Sequence, residues 1–396
     1  MRVALLTVTV LAVLGAGSAR ASSPREVTGV VDSAGARWTD SGRIVTESVI
    51  RDDAGQLTRV RQLGGTVDGV GMRLIPSPAL LHTGDAVRVR IDPAATPGPA
   101  KVLEVELRAA SPDTARPITA LPYVRTTNTT GAQLYWSSGC VYLTYDIDGT
   151  RDVPGDTEFQ AMDRALDSWR TALGTCSYMQ IVSDAPADVE VGYDHKNVVV
   201  FRDDRWCRPA VGKDPEECYD GSAAGLTTIY FVDDASSKRN GEILDADVEL
   251  NAVDFAMAVD GVTTATGCVS EVQNTFTHEM GHLLGLDHTC WTGTGTQPVD
   301  GAGNPVPQCA SNLPSSITEA TMYNFQECGE SKKESLEDDD IAGACNIYPA
   351  ANDPGECKRV DAPGGCCSTC DCDPNPAVPA AIALAVLILI IRRRQG

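Results

Sequence analysis

The sequence predicts a multidomain protein, an all-β N-terminal domain followed by an α+β domain. Three observations predict it. The chain has 396 residues, which sets a prior of two or three domains. Residues 24–118 carry apolar runs with a period of two, bounded by glycine turns. Residues 119–349 alternate strand-like runs with runs at helical spacing. A hydrophobic content of 42% is enough for real cores, and a net charge of −22 argues against nucleic acid and against a basic capture surface. The 14 cysteines, none before Cys140, suggest disulfides and hence export to an oxidising compartment.

Taken in order, Met1-Arg2 is a short charged start, Val3 to Ala16 is mostly apolar, and Ala19-Arg20-Ala21 has the small-x-small form of a cleavage site. Residues 1–21 therefore read as a secretory signal peptide. In the β domain, Val87, Val89 and Ile91 alternate with Arg88, Arg90 and Asp92. Leu103, Val105 and Leu107 alternate with Glu104, Glu106 and Arg108. Both are patterns of half-buried strands, with turns at Gly64-Gly65, Asp68-Gly69 and Gly84-Asp85. A small barrel or sandwich is expected, serving as a pro-domain, an inhibitory cap or a binding module. His82 is a lone histidine near a turn. Proline-punctuated Ser111 to Pro122 is the linker candidate.

In the second domain, Val141, Leu143, Tyr145 and Ile147 form one face of a strand. Phe159, Met162, Leu166 and Trp169 recur at helical spacing, with Asp156 or Thr157 as the expected cap. Strands are expected at Met179–Val182, Val189–Tyr193, Val198–Phe201, Leu226–Val232 and Asp245–Leu250. A helix is expected from about Ser270 to Leu284.

That helix carries His278-Glu279-Met280-Gly281-His282-Leu283-Leu284-Gly285-Leu286-Asp287-His288. His278 and His282 are four apart and so share one helical face, one turn above each other. Glu279 projects beside them without having to be a ligand. Gly285 can adopt the left-handed conformation that ends a helix and turns the chain back. That turn can bring His288 to the same ion. Three protein ligands with one open position define a catalytic zinc site rather than a closed structural one. The chain has five histidines, and three of them lie in these eleven residues, which weakens the bland reading of a polar surface helix.

The motif matches the His-Glu-x-x-His-x-x-Gly-x-x-His pattern of the metzincin metallopeptidases, and the chain from 119 to 349 resembles the matrixins within that clan. Ala320-Thr321-Met322-Tyr323 resembles the matrixin Met-turn. Leu336-Glu337-Asp338-Asp339-Asp340-Ile341-Ala342-Gly343 resembles the opening of the last helix. Gly241 to Asp247 resembles the strand segment before the active-site helix. The resemblance implies a twisted five-stranded sheet, three helices and a substrate cleft with one catalytic Zn2+ at its base. It also implies His278, His282 and His288 as ligands, Glu279 as general base, and Met322 as a floor beneath the imidazoles. Asp340 would brace the Met-turn backbone and Asp339 would pair with a new amino terminus, against the plain alternative that both favour a helix N-terminus. Ca2+ is a further candidate cofactor with no residues assigned to it.

The chain departs from the pattern at Asn324, where matrixins usually have proline, and in the long loop Thr289–Glu319. Only His195 stands upstream where a second zinc would need several histidines, so no second zinc is expected. With no cysteine before Cys140, a cysteine-switch latency is excluded for the N-terminal region. Cys207–Cys218 and Cys290–Cys309 are candidate local disulfides, although spacing cannot fix connectivity. Residues 350–379 form a Cys/Pro-rich linker. In 380–396, apolar Ala380 to Ile391 precedes Arg392-Arg393-Arg394. The run is shorter than the roughly 20 residues of a spanning helix. Its order resembles myxobacterial C-terminal sorting tails, which implies surface attachment; a plain membrane anchor is the alternative. The expected function is a secreted or surface-attached zinc endopeptidase acting on polypeptides. The alternative is a silent surface adhesion or binding protein that retains a structural zinc. No oligomeric state is assigned.

Overall fold

The computed structural model describes residues 23–39, 44–67, 70–73, 81, 83–92, 98–108, 123–210, 216–293, 297–310, 312–360, 383–387 and 390–391. The expected signal peptide, His82, the turn at Asp68-Gly69, the Ser111–Pro122 linker, the cysteines from Cys366 to Cys372 and the terminal arginines lie outside the described residues.

Six strands come first: β1 (Arg25–Trp38), β2 (Ile44–Arg51), β3 (Leu57–Val67), β4 (Val70–Arg73), β5 (Ala86–Asp92) and β6 (Ala100–Leu107). The sheet order β2-β1-β5-β6-β3, together with the β2–β3 pairing, closes five of them into a barrel; β4 extends β3 as a hairpin. Closure removes the edges that would otherwise invite strand addition. Val27, Val31, Ile50, Val60, Val87, Val89, Ile91, Val102 and Val105 fill the interior. One expectation is corrected here. Leu103 was placed inward with Val105, yet Val102 is the buried residue. The ladder shifts between Arg90 and Ile91, so Leu103 is the extra residue of a bulge, and the alternation changes face there.

The second unit runs through β7 (Val124–Arg125), β8 (Cys140–Tyr145), α1 (Thr157–Leu173), β9 (Gln180–Ser183), β10 (Asn197–Arg202), β11 (Cys207–Arg208), β12 (Glu217–Cys218), β13 (Gly225–Phe231) and β14 (Ile243–Asn251). It continues with β15 (Ala256–Ala258), β16 (Val269–Glu271), α2 (Val272–Leu283), β17 (Leu286–Asp287), α3 (Ser315–Thr318), β18 (Phe325–Gln326) and α4 (Asp338–Ile347). Two short tail strands follow, β19 (Ala383–Leu387) and β20 (Ile390–Ile391). The main sheet has the order β19-β13-β14-β10-β8-β9. The pairs β9–β8, β8–β10 and β10–β14 are parallel, while β14–β13 and β13–β19 are antiparallel.

The expected fold class is therefore corrected. The described chain is mostly β and includes the closed five-stranded barrel; it is not an α+β catalytic domain of five strands and three helices. The site-bearing sheet has six strands because a segment of the tail pairs with β13, and among the described residues there are four α-helices, of which α3 is a single turn. The physical reason is that period-two apolar runs fill the N-terminal region, while the apolar tail segment, read as an anchor, takes a strand's pairing. Among the described residues no helix is long and apolar enough to cross a membrane.

The core lies between the sheet and the helices. Met162, Leu166 and Trp169 of α1 and Phe276, Met280 and Leu283 of α2 pack on Val141, Leu143, Ile229, Phe231, Ala246, Val248 and Leu250. Asp156 precedes α1 but does not cap it: its φ is 55° and its side chain makes no capping bond. Among the described residues five disulfides tie the unit together: Cys140–Cys357, Cys176–Cys345, Cys207–Cys218, Cys268–Cys328 and Cys290–Cys309. Both local pairs expected from the sequence form. So many disulfides mark an exported protein. The barrel approaches this unit along β4, which lies against β13 and β19, and Lys101 Nζ donates to the Cys218 carbonyl at 2.7 Å.

Candidate metal centre

The site is built where α2 ends. Nearly all of α2 is buried, and His278 and His282 on one of its faces are both fully buried. The helix stops at Leu284, and Gly285 follows with φ 95°, a conformation only glycine adopts without strain. A Cβ there would also stand 3.0 Å from the Leu134 carbonyl. The turn returns the chain through β17, which pairs with β7, and delivers His288.

The three Nε2 atoms converge. His278 and His282 are 3.0 Å apart there, and His288 is 3.2 Å from each. Three nitrogens on a tetrahedral zinc at ordinary bond lengths stand about 3.3 Å apart, so the spacing suits that ion. The protonation pattern supports the fit. His278 Nδ1 lies 2.6 Å from the Thr321 carbonyl and His282 Nδ1 lies 2.9 Å from the Leu286 carbonyl. A carbonyl only accepts, so each Nδ1 carries the proton and each Nε2 presents a lone pair. Atoms so placed could hold a cation between them. Burial, with His288 adding to it, holds both imidazoles well below their usual range and so keeps them neutral. The second candidate group among the described residues, Cys207, Glu216 and Cys218, has its two sulfurs joined in a disulfide.

Glu279 is fully buried next to His278, and its Oε2 accepts a 2.6 Å hydrogen bond from the Thr227 hydroxyl on β13. Gly225 makes room for it, since a Cβ there would lie 2.6 Å from Glu279 Oε1. Met322 packs against α2, with its sulfur where a Cβ on Gly281 would be 2.2 Å away. Asp340 accepts from the Thr321 and Met322 amides at 3.0 and 3.2 Å. It thereby fixes the turn whose carbonyl orients His278, and it also closes the capping box of α4 with Glu337. Asp339 is buried, and burial followed by the neighbouring Asp340 pushes its carboxyl up to about 7. Its Oδ2 meets no hydrogen-bond donor among the described residues, so the expected pairing with an amino terminus is not among the contacts seen. His195 lies apart, tilted against Tyr193 with ring centroids 4.5 Å apart.

Sequence reasoning missed Thr227, Gly225, Gly281 and the carbonyls of Thr321 and Leu286. A strand threonine carries no signal of its partner, and carbonyls carry none at all. Gly281 sits inside a helix, where glycine is unfavourable, and that oddity was the available clue.

No protein-family model matches the chain, and no curated protein is matched by it.

Proposed function

We propose that the protein is an exported, zinc-dependent endopeptidase. The observation that carries the reading is the convergence of three Nε2 atoms, those of His278, His282 and His288, next to the buried Glu279. When bound, a zinc ion supplies Lewis acidity to a water and to the scissile carbonyl. The chain's residues do the rest. His278, His282 and His288 hold the ion, with two of the three rings fixed by backbone carbonyls. Glu279 takes a proton from the attacking water and passes it to the leaving amine. Thr227 holds Glu279 in place through Oε2, and Met322 packs against α2. The resemblance of the zinc motif and Met-turn to metzincins supports this reading, as do the disulfides for export. Attachment to the cell envelope through the tail belongs to the same proposal, on the strength of the apolar run and the Arg cluster.

The test is incubation of the zinc-loaded full chain with a peptide library, with cleavage sites read by mass spectrometry. Internal cleavage that stops on chelation and returns with zinc is expected. Stoichiometric zinc with no cleavage of any peptide would favour the silent surface protein instead.

A further inference from the structure

A pocket apart from the metal centre opens beside the Cys140–Cys357 disulfide. Its floor is the start of β8. Its walls are the loop that leads into β10 and the segment that follows Cys357. Of the eleven residues that line it, His195, Lys196, Lys358 and Arg359 are basic, and none is acidic. The whole chain carries 54 Asp and Glu against 32 Lys and Arg, so a pocket of average composition would lean negative. Here the cations are gathered against that average, and they set a local field of the opposite sign.

Both walls are held in place. Gly139 donates its amide to the Glu356 carbonyl at 2.8 Å, and Lys358 donates its own to the Ser138 hydroxyl at 3.0 Å. The Arg359 guanidinium lies 4.0 Å from the centre of the Tyr142 ring and bonds Asp184 at 2.7 Å. On the other wall, His195 takes a left-handed φ of 65°. The amides of Asp194 and His195 both donate to the buried Asp245, which fixes the turn that presents Lys196. Asn197 is held at both ends of its amide, by the Tyr142 carbonyl at 2.7 Å and the Ala246 amide at 2.9 Å.

The acids that meet these cations stand outside the lining. Asp194 lies 3.3 Å from Lys196, Glu356 lies 2.7 Å from Lys358, and Asp184 pairs with Arg359. They do not use up the donors. An ammonium and a guanidinium each carry several N–H groups, so every one of these cations keeps donors for a further partner.

We propose that this pocket binds a phosphate or sulfate group, held between Lys196 on one wall and Lys358 and Arg359 on the other. A tetrahedral oxyanion turns oxygens toward both walls at once, whereas a carboxylate offers oxygens in a single plane. Arg359 supplies the planar fork that matches such a group, and the lysines supply point charges. The group is a free ion or one carried on a larger molecule as an ester; both share the chemistry that the pocket reads. The inference does not rest on the peptidase reading, since neither Glu279 nor any of the three ligand histidines lines the pocket.

The experiment acetylates the lysines of the full chain and reads each one by mass spectrometry. The probe is inorganic phosphate, compared with chloride at equal ionic strength so that screening is the same. Saturating phosphate should slow acetylation of Lys196 and Lys358 at least about threefold, because a bound oxyanion occupies their N–H groups. Lys238, exposed in the loop between β13 and β14, should react at an unchanged rate. Arg359→Gln, at a side chain 54% exposed, leaves the core alone. It should raise the phosphate concentration for half-protection about tenfold. Glucose 6-phosphate then separates the sources. Half-protection at a lower concentration than inorganic phosphate assigns a carried group, any other value assigns the free ion, and either upholds the site. Equal acetylation rates in phosphate and chloride would overturn the proposal. So would equal protection of Lys238, or half-protection unmoved by Arg359→Gln.

Discussion

At the scale of single residues the site depends on atoms that leave no room. Gly281→Ala puts a methyl group where the Met322 sulfur lies, at 2.2 Å. Overpacking of this kind typically costs about 1–3 kcal/mol. The expected outcome is a lower denaturant midpoint with a weaker hold on zinc; an unchanged midpoint and zinc affinity would show that Met322 moves freely. Asp339 gives a pH signature. Its folded pKa of about 7 lies above the ordinary carboxylate value, so the folded state binds the proton more tightly than the unfolded chain does. Its contribution is present at pH below the unfolded value and is lost as pH rises through about 7. Asp339→Asn, which cannot ionise, should therefore flatten the fall in stability between pH 4 and pH 7. Parallel stability-versus-pH curves for parent and variant would refute this.

At the scale of elements, β14 shows why strand alternation matters. Ala246, Val248 and Leu250 face the helices, while Asp245, Asp247 and Glu249 are buried on the opposite face. Burial alone would raise the Glu249 carboxyl; Arg202 and Arg208 outweigh it and hold the group below its usual range. Arg202 bonds Glu249 at 2.7 Å, and Arg208 meets it at 3.2 Å. Glu249→Ala leaves two buried guanidinium groups without this partner and is expected to destabilise by about 3–5 kcal/mol. Urea unfolding measures it, and a change under about 1 kcal/mol would mean that water reaches the pair. This element was half legible in the sequence. The alternation announced a strand, yet nothing in it announced that the three acids are buried, because the groups that cover them are far away in sequence. The helix α2 was the more legible element: His278, His282, Gly285 and His288 fix their own geometry through local spacing. The bulge at Leu103 was not legible, since an extra residue changes no composition.

At the scale of the whole molecule, turn chemistry and cysteine placement suggest where barrel, site-bearing unit and tail divide, while the pairing between them left no signal in the sequence. The run Ala383 to Leu387 reads as an anchor because it is apolar; only the open edge of β13, formed 150 residues earlier in the chain, makes it a strand. The barrel has its own closed core and meets the rest through β4 and Lys101. A chain beginning at Leu121 is therefore expected to fold with all five disulfides, as read by mass spectrometry and a cooperative melt. Insolubility of that chain beside a stable full-length protein would make the barrel part of one folding unit.

The central claim is that three imidazoles hold zinc while Glu279 handles the proton, and one comparison tests it most directly. Zinc content and peptide cleavage are measured together on the parent and on Glu279→Gln. The account predicts near-stoichiometric zinc in both and a loss of about 10²–10⁴-fold in the cleavage rate of the variant. Cleavage by Glu279→Gln at the parent's rate, or loss of zinc along with the carboxylate, would contradict it.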